Sequence, residues 1–371
     1  MKKLFRRCSK LAPFLLLTVC ITWQTRTIII SNGLIRVIIS ESPEDQSLTI
    51  LAPSTKHRAL NDRNHRSPDH PRRLLIIAAA PKDERHVWTV WTELECFTRN
   101  VDHVIISSPH WGRDITNYIV REAQRSIPWF VNQSTTIEAQ NYVNDRYDVG
   151  LWCDALEHTS MNKDGKNNVD FDEIGVLNDS VFALRESTAV FNALKERNVS
   201  LSSLSYSFSP KNFRGRHSKE HFWVESVFRG LTPRGVKLFQ NHSCLHTNHH
   251  KFCRGRSPEE QKGCIINNFE HDLAAAFPEG DVFGFYESDA PPETKVRPYK
   301  TKMSWASNFL YWQKLVNESA FPVAKENVKE SIPDIDSPLL KNCTRYLKRE
   351  KLKSWNLDFS VSETAFLAEV V

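Results

Sequence analysis

The sequence lacks the short patterns that mark the commonest nucleotide-using and hydrolytic enzymes. It contains no GxGxxG, no Walker A loop, no GxSxG and no HExxH. These absences remove the dinucleotide, phosphate-loop, serine-hydrolase and zinc-protease readings in turn. It is also short of a membrane span near its start. The apolar run at 11–23 is shorter than the ~20 residues that cross a bilayer comfortably. Charge of one sign is not in large excess. A net charge of +5, much of it carried by the first 75 residues, does not by itself imply nucleic acid, and no nucleic-acid partner is expected. What is present is ordinary for a globular protein: 40% apolar and 25% charged residues. The length of 371 residues allows one large domain or two small ones.

Lys2, Lys3, Arg6, Arg7 and Lys10 precede the apolar run. A signal-peptide core is one reading, but no clean small-x-small cleavage site follows. Residues 25–30 lengthen the run if Arg26 snorkels to the interface, which makes an uncleaved signal anchor. The positive flank stays cytosolic and the rest enters the lumen. The expected organisation is a cytosolic tail at 1–10, an anchor at 11–30, a flexible stem at 31–73 and a luminal domain at 74–371. Such a chain is a single-pass type II protein of the Golgi or endoplasmic reticulum membrane. Residues 41–73 are rich in Pro, Ser, Asp, Asn, Arg and His without apolar periodicity, as a stem should be. The cluster His57, Arg58, Arg63, His65, Arg66, Arg72 and Arg73 is either a solvated linker or a binder of anionic polymers. Six Asn-x-Ser/Thr sequons follow, at Asn132, Asn178, Asn198, Asn241, Asn317 and Asn342. With the anchor they fit the secretory pathway. That compartment permits disulfides among Cys96, Cys153, Cys244, Cys253, Cys264 and Cys343, in any of fifteen connectivities.

Beyond the stem, apolar runs alternate with amphipathic segments. Residues 73–80 (RLLIIAAA) and 101–107 (VDHVIIS) read as buried parallel strands. Residues 83–98 carry Val87, Val90, Trp91, Leu94 and Phe97 at helical spacing. Residues 116–126 look helical, and 127–132 suit a short third strand. The alternation predicts an α/β domain with a mainly parallel sheet flanked by helices. After the second strand, Trp111-Gly112-Arg113-Asp114 is read as a turn whose Asp114 caps a helix from about Ile115. The other reading gives Arg113 a phosphate.

The centre of the chain is residues 144–182. NDRYDVGLWCDALEH leads into a helix at 150–158, and VDFDEIGVLNDSV is a strand at 171–177 ending in Asn178-Asp179-Ser180. Open α/β folds build sites where strands deliver polar residues to their C-terminal ends. Asn144, Asp148 and Asp179 are therefore expected in one site. Asp148 is either a cap for the first helix or a nucleotide contact at its positive end. Asp179 or Ser180 either caps a helix at 181–197 or lies near a diphosphate, with or without a divalent cation held by oxygens. Trp152 reads as core.

The pattern Asn-x-x-Tyr-Asp-x-Gly-x-Trp at 144–152, followed by an apolar strand ending Leu-Asn-Asp-Ser-Val, resembles the rhamnan synthesis F family. These are glycosyltransferase-like proteins of cell-surface polysaccharide synthesis. The segments HFWVESVFRG (221–230), NFEHDL (268–273) and 305–325, with Tyr311, Trp312, Leu315, Phe321, Pro322 and Lys325, agree in order. The likeness spans roughly 74–329. It implies a GT-A-like scaffold and transfer of a sugar from a nucleotide-sugar donor to a glycan acceptor. Asn144, Tyr147, Asp148 and Gly150 match the first motif, and Asn178, Asp179 and Ser180 the second. Only Asp179 is acidic in that triplet. A full Asp-x-Asp is missing, which puts Mn²⁺ or Mg²⁺ on Asp179 in question. The same gap motivates the alternative of an inactive glycan-binding or scaffold protein on a degenerate transferase fold.

Further on, 201–208 reads as a strand, 222–228 as a strand or short helix, and Thr232-Pro233 as a helix start. Glu225 and Glu270 are the candidate bases for an acceptor hydroxyl; either could instead pair with a surface cation. Cys244, His246, His249, His250 and Cys253 have zinc-like composition without a standard ligand spacing, and disulfides are the favoured reading. Residues 289–299 read as a Pro-rich loop over the acceptor side. Trp305, Tyr311 and Trp312 are core or sugar platforms, and Lys325 is a phosphate contact or solvated.

Overall fold

A computed structural model of the chain describes residues 71–143, 147–160, 171–209, 221–244, 253, 258–287, 312, 314–316, 321–325, 343 and 354–360. All of them belong to the compact unit Pro71–Val371. The expected tail and anchor, with all but the last residues of the stem, lie outside them. Among the described residues no helix is long and apolar enough to cross a membrane.

The elements run β1 (Arg73–Ala78), α1 (Glu84–Phe97), β2 (His103–Pro109), α2 (Arg113–Ser126), α3 (Pro128–Val131) and β3 (Thr136–Tyr142). Then come α4 (Tyr147–Ser160), β4 (Glu173–Asn178), β5 (Val181–Ala183), α5 (Ala189–Glu196) and β6 (Leu201–Ser209). The last are β7 (His221–Val224), β8 (Phe228–Leu231), α6 (Pro233–Phe239), α7 (Pro258–Ile265), β9 (Val282–Glu287) and β10 (Val323–Lys325). Among the described residues eight strands form one sheet in the order β3-β2-β1-β4-β8-β6-β7, with β9 also on β6. β3, β2, β1 and β4 are mutually parallel. β8 runs antiparallel to β4 and to β6, and β9 is parallel to β6. The expected α/β architecture, a mostly parallel mixed sheet flanked by helices, is therefore present.

The reason is local. β1 and β4 are apolar on both faces, and both faces are covered. Leu75 and Ile77 face α1 and α5, while Leu74 and Ile76 face α4 and α6. Gly175 allows one close approach: a Cβ there would stand 2.7 Å from Leu75 Cδ1 and 2.8 Å from Phe191. At the opposite edge Arg73 Nε lies 2.6 Å from Glu173 Oε2 and ties β1 to β4.

Four expectations fail. Residues 127–132 are not a strand: Pro128 opens the one-turn helix α3, and the third strand lies further on, at β3. Asp114 caps nothing. Gly112 is the N-cap of α2 without a side-chain bond, and Asp114 is an exposed first-turn residue beside Arg113. Residues 181–197 are not one helix. Val181–Ala183 is a fully buried strand antiparallel to β10, and the helix starts only at Ala189. An apolar triplet after a turn was more useful to the core as sheet than as a helix start. Consequently neither Asp179 nor Ser180 is a helix cap.

The six downstream cysteines pair as Cys96–Cys343, Cys153–Cys244 and Cys253–Cys264. This overturns a shared zinc site for Cys244 and Cys253, since each sulfur is committed to a different partner. His246, His249 and His250 lie outside the described residues. Cys153 belongs to α4, so its bond with Cys244, 91 residues away, anchors that helix. Loop-closure entropy makes such a bridge worth about 4 kcal/mol. Cys153→Ala/Cys244→Ala should lose a comparable amount in denaturant unfolding; an unchanged midpoint would show the bridge is not formed.

Candidate functional site at the C-terminal edge of the parallel strands

β1, β2, β3 and β4 all end at one edge of the sheet, and the residues that follow them make the site. β1 gives way to Ala79 and Ala80, and β4 ends at Asn178, with Asp179 in the turn that follows. The turn after β4 is held from the β1 side. Ala80 N–H donates to Asp179 Oδ2 at 2.7 Å, Asp179 N–H donates to Ala78 O at 3.1 Å, and Thr89 Oγ1 of α1 shares its one hydrogen between His86 O at 2.7 Å and Asp179 O at 2.9 Å. Asp179 is thus a buried carboxylate with a fixed backbone and one oxygen on a main-chain donor.

Asn178 joins the two central motifs. Its Nδ2 donates to Asp148 Oδ2 at 2.8 Å and lies 3.4 Å from Ser226 Oγ, while its Oδ1 accepts from Ser180 Oγ at 2.5 Å. Asp148 sits in the first turn of α4, where a carboxylate suits the helix dipole. Tyr147, the first residue of α4, has φ of 53°, a conformation uncommon for a bulky side chain. The entry to this helix, beside Asp148, is therefore locally strained. Trp152 is core: it is fully buried and its indole N–H donates to Leu177 O.

Two further groups bear on the charge of the site. Asp83, the N-cap of α1, accepts from His86 N–H at 3.0 Å, and its Oδ1 lies 2.7 Å from His86 Nδ1. Burial pushes the Asp83 carboxyl up, but its bonds from His86 outweigh this and hold it well below the usual range. Burial opposes charge on His86. The Asp83 bond and the negative field of Asp179 outweigh that and raise its pKa. Glu93 of α1 is fully buried, and neither of its oxygens has a hydrogen-bond partner. Burial first, then the charges of Asp179 and Asp148, raise its pKa well above the usual carboxyl value.

The expected residues are placed as follows. Tyr147, Asp148 and Gly150 share the first turn of α4, and Asn178, Asp179 and Ser180 form the facing turn. Glu225 is half-buried in the β7–β8 turn, next to the Ser226 that meets Asn178. Asn144 lies outside the described residues. The backbone of Glu270 belongs to the π turn Ile266–His271, and its side chain lies outside the described residues. Residues 289–299, Trp305 and Tyr311 also lie outside them. Trp312 is core, against Phe321. Lys325 ends β10, and its side chain lies outside the described residues.

Sequence reasoning missed Asp83, His86, Glu93 and Ser226. Asp83 was legible as an N-cap three residues ahead of His86. Glu93 was legible only as a charge inside an apolar helical stripe, because α1 is sealed on both sides.

Asn178 is also a sequon, and its buried amide is already engaged on both atoms. Asn132 and Asn198 are exposed. In protein made through a secretory pathway, glycopeptide mapping should find Asn178 unmodified while Asn132 or Asn198 carries glycan. Glycan on Asn178 in folded protein would contradict the site.

An all-oxygen set on a parallel-sheet edge is the class of site the geometry defines. Asp148, Asn178, Asp179 and Ser180 offer hard oxygen donors, the kind that Mg²⁺ and Mn²⁺ take. Among the described residues no three His, Cys, Asp or Glu side chains gather closely enough to hold a metal by themselves.

No protein-family model and no curated protein sequence matches the chain. Among solved structures, it is similar to 4-diphosphocytidyl-2C-methyl-D-erythritolsynthase from Anaerococcus prevotii DSM 20548. That match has 10% identity and a TM-score of 0.33 over 66% of this chain and 100% of the other. The apo form of mouse xyloside xylosyltransferase 1 matches at 10% identity and a TM-score of 0.31, over 57% of this chain and 83% of the other.

Proposed function

We propose that the chain is a nucleotide-sugar-dependent glycosyltransferase of the rhamnan synthesis F kind, on a GT-A-like scaffold, acting in the lumen of the secretory pathway. The observation that carries this is the Asn178 amide. It binds Asp148 of one motif and approaches Ser226 beside Glu225, so that segments 30 and 48 residues away meet at one strand end. The six paired cysteines agree with an oxidising compartment.

In this reading the first-turn N–H groups of α4 receive the donor's phosphate, as helix N-termini do. Asp148 and Asp179 orient the nucleotide, and a divalent cation bound there would offset charge on the leaving diphosphate. Glu225 takes the acceptor hydroxyl's proton. The acceptor oxygen bonds to the anomeric carbon as the carbon–phosphate oxygen bond breaks, and the nucleoside diphosphate leaves with the electron pair.

The test is release of nucleoside diphosphate from a panel of nucleotide-sugars, with mixed glycan acceptors and Mn²⁺. Acceptor-dependent release that Glu225→Gln lowers at least 100-fold supports the reading. Binding of a glycan array without release from any donor supports the scaffold alternative, which the single acid in the Asn178–Ser180 triplet favours.

A further inference from the structure

Arg229 of β8 is fully buried, an expensive place for a guanidinium. On the sheet it stands opposite Val176 of β4 and Ser203 of β6, beneath the edge that carries the site. Its Nη2 donates to Val224 O at 2.7 Å and its Nε to Glu225 O at 3.0 Å. Ser203 Oγ shares its one hydrogen between Ser205 O at 2.9 Å and the same Glu225 carbonyl at 3.1 Å, and Glu225 N–H donates to Ser205 O at 3.0 Å. Both main-chain polar groups of Glu225 are therefore committed, and the side chain is held by a backbone that has little freedom left. One residue on, Ser226 Oγ meets Asn178.

A leucine or methionine at 229 would fill the same volume without burying charge. What the guanidinium adds is direction, since its planar fork can bind two successive carbonyls at once. Those carbonyls open the turn between β7 and β8.

We infer that Arg229 is a positioning residue: it clamps the Glu225–Ser226 turn from within the sheet and so fixes the acceptor-side carboxylate relative to the Asn178–Asp148 pair. The catalytic part of this inference rests on the transferase reading above. The clamp itself does not.

The experiment compares the full chain with Arg229→Met, Arg229→Lys and Ser203→Ala by hydrogen exchange. In Arg229→Met the amides of 222–228 should exchange at least ten-fold faster, with β1–β4 unchanged. Arg229→Lys should recover part of that protection. Ser203→Ala, which removes one bond to the same carbonyl and leaves the arginine, should give a smaller rise in the same peptide. Unchanged exchange at 222–228 in Arg229→Met overturns the clamp, and so does an equal loss of protection across the whole sheet. If Arg229→Met fails to fold, Arg229→Lys decides: it should exchange faster at 222–228 than the wild type, and no rise there overturns the clamp. With a donor found by the nucleotide-release panel, Arg229→Met should lower kcat at least ten-fold and leave donor affinity within two-fold. Equal losses in both would overturn the positioning role. If no donor is turned over, the transferase reading and with it the catalytic role fall, while exchange still decides the clamp.

Discussion

Glu93→Gln should stabilise the protein at neutral pH, and the gain should vanish as pH falls towards 4. Glu93 is sealed inside α1 with neither oxygen hydrogen-bonded, so its charged form is disfavoured by burial and then by Asp179 and Asp148. In the unfolded chain the same group ionises near its ordinary pKa of 4.5. Between that value and the raised folded one, the unfolded state binds fewer protons than the folded state. Stability therefore falls with rising pH, by about 1.4 kcal/mol per pH unit through that window for this one group. Glutamine keeps the shape and does not titrate, so the variant escapes the loss. Denaturant unfolding of both proteins at pH 4, 5, 6 and 7 reads the difference directly. A variant less stable than wild type at pH 7 would mean that Glu93 is ionised and bonded in the folded protein. A protein that keeps such a group beneath its site gives up stability there, which is where functional sites commonly give it up.

The second large effect is expected at Asp179, where two substitutions separate charge from scaffold. Asp179→Asn retains an oxygen to accept from Ala80 N–H but loses the negative charge. Asp179→Ala loses both. Both should weaken nucleotide-diphosphate binding at least 100-fold under the transferase reading. Only Asp179→Ala should also lose stability, by about 1–3 kcal/mol, because it strands the Ala80 N–H that now donates at 2.7 Å. Calorimetric titration gives the affinity and chemical denaturation the stability. An Asp179→Asn protein with wild-type affinity would remove Asp179 from the donor site.

The parallel half of the fold was legible because β1 and β2 are runs of Leu, Ile, Val and Ala bounded by polar residues, and a strand buried on both faces needs that composition. The helix at α1 was legible from the spacing of Val87, Val90, Trp91, Leu94 and Phe97 for a similar reason. β3 was not, because TIEAQNY is half-exposed at the sheet edge and carries little apolar signal. The apolar decoy IPWFVN was read instead. β5 was not legible because its partner, β10, lies about 140 residues away, and no local pattern reports that pairing.

The site divides along the same line. Asn144, Asp148 and Asp179 were expected in one site; Asn144 lies outside the described residues, and the structure adds the bond from Asn178, beside Asp179, to Asp148. Glu225 of the β7–β8 turn was named from the sequence, but the approach of Ser226 was invisible, since it reaches Asn178 only because β8 runs antiparallel to β4 and brings the start of Phe228–Leu231 to the end of Glu173–Asn178. Glu93 was hidden by a different cause. Periodicity places a residue on a helix face, but whether that face is sealed depends on elements far away. Here the same helix is tied to Cys343 by a disulfide and packs Trp91 on Trp355.

Binding of the nucleotide part of a sugar donor at the Asn178-centred edge is the core of the proposed transferase. Its most direct test is the unfolding temperature of the purified full chain with nucleoside diphosphates and nucleotide-sugars, each with and without Mn²⁺. At one hundred times its dissociation constant a true ligand stabilises by about 2.7 kcal/mol, a shift of a few degrees for a domain of this size. One nucleotide family should give such a shift, and Asp179→Asn should lose it. A folded protein whose unfolding temperature no nucleotide moves would contradict it.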